Sequence, residues 1–121
     1  MYPTDITLAG TSTSKTYSLI SIEGRKALRS DATAALDAPR GLTISHQVTT
    51  VSGVLVDRHL VRLDESIAGT APAPDVTASV QLVIAAPRET ITVAQIKDVL
   101  ARLVSFIGTA GYTDKLLNNE P

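Results

Sequence analysis

Cysteine and tryptophan are absent from this 121-residue chain, and aromatic side chains are scarce, with three tyrosines and one phenylalanine. The lack of cysteine excludes disulfides, thiolate nucleophiles and cysteine-based zinc sites, and it fits a reducing compartment. Long apolar runs are missing too. The longest, Leu82 to Ala86, falls far short of the roughly 20 residues that span a bilayer. The opening MYPTDITLAG has no basic stretch leading into an apolar one, so the chain reads as soluble and without a secretory signal. No charge sign dominates either: the formal net charge is −1, and a near-neutral total can still hide a basic face opposite an acidic one. No GxSxG elbow, phosphate-binding glycine loop or suggestively spaced carboxylate pair occurs. The expectation is therefore no enzyme activity, no cofactor, no metal site, no membrane and no small-molecule substrate.

What is present is alternation. Gly41 to Val51 and Val54 to Asp64 form two long period-two segments joined by Ser52-Gly53, a two-residue turn in which Gly53 can take positive φ. That turn pairs residues whose numbers sum to 105. Leu42, Ile44 and Val48 then share one face with Leu55, Val61 and Leu63, while Thr43, Ser45 and Gln47 share the other with Arg62, Leu60 and Arg58. The first face reads as core and the second as a polar platform carrying arginines. Val76 to Ala86 repeats the pattern, with Thr77, Ser79 and Gln81 on its polar side. Asp5 to Ala9 and Lys15 to Ile22 predict an N-terminal hairpin, and Arg25 to Ser30 a short strand, with Asp31 to Pro39 as a loop. The stretch Glu65 to Asp75 contains Ile67, Gly69, Pro72 and Pro74 and is expected to lie outside any ladder as an exposed connection.

After Pro87 the period becomes 3.6. Thr92 and Gln95 make a capping box, and Val93, Ile96, Val99, Leu100, Leu103, Val104 and Ile107 fall on one stripe before Gly108. A shorter helix is predicted from Tyr112 to Asn118, anchored by Leu116 and Leu117. The chain thus reads as one α+β unit over residues 1–121: an N-terminal hairpin, an antiparallel sheet and two C-terminal helices. One helical layer is too narrow for a five-stranded sheet, which predicts a homodimer joined edge to edge, with the helices lying over the sheet.

In this order of elements the chain resembles the coat proteins of single-stranded RNA bacteriophages, the leviviruses. The segments that carry the resemblance are GRKALRS, RGLTISHQVTT, RHLVRLDES, the Gly/Pro loop, VTASVQLVIAAP and a helical end finishing in DKLLNNEP. The resemblance implies dimers whose C-terminal helices interlock through Ile96, Val99, Leu100, Leu103 and Ile107, and dimers that close into an icosahedral T=3 shell in the bacterial cytoplasm. It implies inter-dimer contacts at Ile67, Gly69, Pro72 and Pro74. It also implies that the inner sheet face holds genomic RNA, including a stem-loop translational operator, through Thr43, Ser45, Gln47, Arg58, Arg62, Thr77, Ser79 and Gln81. Family members often carry a basic residue where Gln47 stands and an aromatic one where Thr77 stands, so base stacking contributes little here.

Other readings of the same residues are plainer. Polar positions on half-buried strands are the usual solvent face of an antiparallel sheet, and a cellular dimeric α+β module could use such a sheet for RNA or a ligand. His46 and His59 face each other on the core side and read as a packing pair rather than a metal site, two ligands being too few. Arg25, Lys26 and Arg29 form a basic cluster in which Arg25 and Arg29 share a strand face, and it could touch RNA or line a solvated edge.

Overall fold

The computed structural model describes residues 1–121. Six strands, β1 (Asp5–Ala9), β2 (Ser14–Glu23), β3 (Lys26–Ser30), β4 (Arg40–Val51), β5 (Val54–Ile67) and β6 (Val76–Pro87), precede α1 (Val93–Gly108) and α2 (Tyr112–Leu117). The strands form one antiparallel sheet in chain order. The sheet has six strands where five were expected, and the N-terminal hairpin belongs to it through β2–β3 pairing.

β4 and β5 pair throughout with residue numbers that sum to 105, from Arg40↔Glu65 to Val51↔Val54. Ser52 at φ 52° and Gly53 at φ 80° form the positive-φ turn that fixes this register. The ladder between β5 and β6 runs three residues beyond Asp64: Glu65, Ser66 and Ile67 pair with Ala78, Thr77 and Val76. Ile67 is therefore a strand residue, not a loop residue, and the connection shrinks to 68–75. Chain-breaking residues begin only at Gly69, where an added Cβ would overlap the carbonyl oxygens of Ala73 and Pro74. The Gly69 N–H also donates to Asp75 Oδ1 at 2.8 Å, closing the loop on itself.

Local interactions explain the ends of α1. The Thr92 hydroxyl accepts from the Gln95 N–H at 3.2 Å, and Gln95 Oε1 accepts from the Thr92 N–H at 2.9 Å. Just before it, Arg88 bonds both oxygens of Asp57, at 2.9 to 3.1 Å, and holds that carboxyl below the usual carboxylate range. A short, pinned connection thus fixes where the helix starts. A crevice lined by Leu82 to Ala85 of β6 and by Ile96, Val99, Leu100 and Leu103 of α1 lies between the helix and the sheet.

Within a single chain the helices do not cover the sheet. No residue of α1 or α2 is buried, and only Ile96 and Leu100 of the stripe are partly shielded. Val80 on the apolar face is 73% exposed and Ile107 on the helix 57%. Seven of 121 residues are buried, and the chain exposes 9119 Å². A compact monomer of 12.7 kDa would expose about 6,200 Å².

The best-packed region lies at the other end of the sheet. Asp31 heads the β3–β4 loop with its side chain only 2% exposed. It accepts from the Thr33 N–H at 2.9 Å, the Thr33 hydroxyl at 2.6 Å and Arg40 at 3.2 Å, and Arg40 also reaches Glu65 at 3.0 Å. The Thr33 bonds, then Arg40, hold the Asp31 carboxyl below its ordinary value. A depressed carboxylate pKa contributes stability above the unfolded value near 3.9 and loses it as pH falls through the folded value. Denaturant titrations of wild type and Asp31→Asn should therefore differ most near pH 7 and draw together as pH falls from about 4 through the folded value. A gap that does not narrow as pH falls below about 4 would contradict this assignment.

Candidate nucleic-acid interface

The two faces of the sheet differ in chemistry because the strands alternate in a fixed register. Across β3 to β6 one face presents Leu42, Ile44, Val61, Leu63, Leu82 and Ile84. On the other, Thr43 stands between Leu28 and Arg62, with Gln81 beyond Arg62. The next row is Lys26, Ser45, Leu60 and Val83, followed by Gln47, Arg58 and Ala85. Ser79 lies opposite Asp64, and Thr77 opposite Ser66, whose hydroxyls share a 2.8 Å bond. All eight residues singled out from the sequence thus project from one face. The arrangement spreads hydroxyl and amide groups over three adjacent strands about 4.8 Å apart.

The arginines are not equivalent. Arg62 Nε donates to Asp64 Oδ1 at 2.8 Å, and the Ser79 hydroxyl donates to the same oxygen at 2.5 Å. The Ser79 bond, followed by Arg62, holds the half-buried Asp64 carboxyl below the usual carboxylate range. Arg62 is thus neutralised in place and Ser79 has its proton engaged. Arg58 is exposed and makes no ion pair. Lys26, exposed and likewise unpaired, belongs to the same face. On β3 to β6 this face carries Lys26, Arg58 and Arg62 against Asp64 alone, so it is basic although the chain as a whole is slightly acidic.

Sequence reasoning did not assign two of these groups to this face. Asp64 was visible in principle, since it shares parity with Arg58 and Arg62 on β5. Lys26 was not, because its side depends on the β3–β4 register, which pairs Lys26 with Ser45 and no turn rule supplied. The same register removes Arg29 from the RNA candidates. It lies on the apolar face opposite Leu42, is 3% exposed, and donates through NH2 to the Pro3 carbonyl at 2.9 Å. Arg25 stays exposed in the β2–β3 turn.

The whole architecture recurs in known particles. No protein-family model matches the chain, and no curated protein matches it by sequence. Among solved structures, the virus-like particle of Beihai levi-like virus 21 superposes with a TM-score of 0.79 at 14% identity, covering 100% of this chain and 98% of the other. The virus-like particle of bacteriophage NT-214 gives 0.72 at 18% identity, with the same two coverages. The bacteriophage EMS014 coat protein gives 0.71 at 21% identity over 92% of this chain and 80% of its own. From its first strand to its last helix, the chain has the fold of levi-like phage coat proteins.

Proposed function

We propose that this chain is the coat subunit of a levi-like RNA phage, acting as a dimer that builds a closed shell around RNA. The observation that carries the reading is the whole-length superposition on subunits of virus-like particles. The surface arithmetic supports it independently. An excess of roughly 2,900 Å² per chain over a compact monomer, or about 5,800 Å² for two chains, is at the upper end of what obligate dimers bury. The unpaired edge of β6 accepts the same strand of a second copy, which removes the exposed edges of both. α1 has 16 residues, about 24 Å at ~1.5 Å per residue, or five strand spacings. Departing past the edge of β6, it is long enough to cover the partner's apolar face, so the two chains complete each other's cores.

The 68–75 loop, with Gly69, Pro72 and Pro74, lies outside this dimer core and supplies the contacts between dimers. The opposite, basic face holds genomic RNA, with a stem-loop as the specific ligand. Arg58 and Lys26 meet phosphates, while Thr43, Ser45, Gln47, Thr77 and Gln81 offer short polar groups to unstacked bases. Arg62 and Ser79 join through Asp64, which orients them and limits their charge.

Electron microscopy of the purified protein tests the shell directly. Closed particles are expected, and discrete dimers under all assembly conditions would instead favour a cellular binding module. Deleting Ala68 to Ala73 should leave dimers folded yet prevent normal particles; unaltered particles would remove the loop from assembly. Leu103→Asp alters a residue already 42% exposed in the single chain. It should nonetheless abolish dimers, because covering an unpaired carboxylate costs several kcal/mol. A stable dimer would place the interface elsewhere.

The polar face is tested by salt titrations of single-stranded RNA binding with dimers kept below assembly concentration. Arg58→Ala should flatten the plot of log affinity against log salt by roughly 0.7, the value for one phosphate contact. Asp64→Asn releases Arg62 and should steepen it by a similar amount. Unchanged slopes in both variants would reject this face as the RNA surface.

A further inference from the structure

On the apolar face one cross-strand pair is not apolar. His46 and His59 stand opposite each other on β4 and β5. The His46 N–H is directed to the Arg25 carbonyl on the β3 side, at 3.0 Å, so the two histidines form a non-hydrogen-bonded pair, the type in which side chains approach most closely. Their Nδ1 atoms are 2.9 Å apart and the rings meet edge to face at 70°. This contact holds one proton. One ring donates Nδ1–H and the other accepts with its lone pair, and protonating both Nδ1 atoms sets two N–H groups head to head.

Asp57 is the one carboxylate in the rows around the pair, and it interacts electrostatically with His59. Ile84 of β6 lies beyond His59, and the flanking rows hold Ile44, Val61 and Leu82 on one side and Val48, Asp57 and Ala86 on the other. Asp57 is already bound by Arg88 through three hydrogen bonds. Toward β3, His46 lines a recess with Arg25, Lys26 and Arg29 and no carboxylate. We propose that the His46–His59 pair makes association of this chain acid-labile: protonating both rings breaks the cross-strand bond and places charge on the face that a second copy covers.

The inference rests on the coat-subunit reading, in which the apolar helix stripe of the partner lies over this face. Covering disfavours the charged rings, so the separated chain binds more protons than the dimer, and dissociation is favoured as pH falls. Histidine is the side chain whose charge ordinarily changes between pH 5 and 8. Asp31, Asp57 and Asp64 are all held below the usual carboxylate range and stay ionised through that window.

The test is the dimer dissociation constant, measured by sedimentation between pH 7.5 and 5, for wild type and for His46→Gln/His59→Gln. Wild type should weaken by about tenfold per pH unit for each excess proton bound on dissociation, and the double variant should be nearly flat. His59→Phe, which keeps an apolar ring, gives a second variant if the glutamine pair does not fold, and it too should flatten the profile. A wild type that dimerises with a flat profile overturns this inference alone, as does a variant with the wild-type slope. A wild type that is monomeric at pH 7.5 overturns the coat-subunit reading as well.

Discussion

The structure depends on one unmet requirement: an apolar sheet face and an apolar helix stripe that do not cover each other within the chain. Residues 88–92 connect β6 to α1 and are pinned at both ends, by the Arg88–Asp57 pair and by the Thr92–Gln95 capping box. Much of the apolar surface of both elements stays exposed, Val80 on the sheet and Val99 and Ile107 on the helix among it. Since net stability is a small difference between large terms, a chain burying seven residues gains its core by association or lacks one.

The remaining features divide the work between the two sheet faces. Period-two alternation gives the same strands one apolar face and one polar, basic face. A change of register by one residue would exchange the two roles, which is why the Ser52-Gly53 turn matters beyond its size. Charges are managed to suit. Asp57 and Asp31 are engaged by Arg88 and Arg40 on the associating side, and on the polar side Asp64 restrains Arg62 but leaves Arg58 and Lys26 free.

Much of this was legible in the sequence wherever a local rule fixed geometry. The two-residue turn determined the β4–β5 register, the opposition of His46 and His59, and the shared face of Thr43, Ser45, Gln47, Arg58 and Arg62. The capping box located α1. Legibility failed where position depends on pairing between segments without a tight turn. Lys26 and Arg29 could not be assigned to faces until β3 was aligned with β4. Ile67 was grouped with the glycine and prolines that follow it, although it continues the ladder. The restraint of Arg62 by Asp64 needed only the parity of β5, yet side-chain pairing within one strand face is not apparent from composition.

The central claim, that two chains complete one core, is tested most directly by the concentration dependence of unfolding. If folding and dimerisation are one transition, the denaturation midpoint must rise with protein concentration, because the folded state is favoured by mass action. The account predicts such a rise across a hundredfold concentration range, with dimer and secondary structure lost together. A midpoint independent of concentration, with a folded monomer at the dilute end, would contradict it.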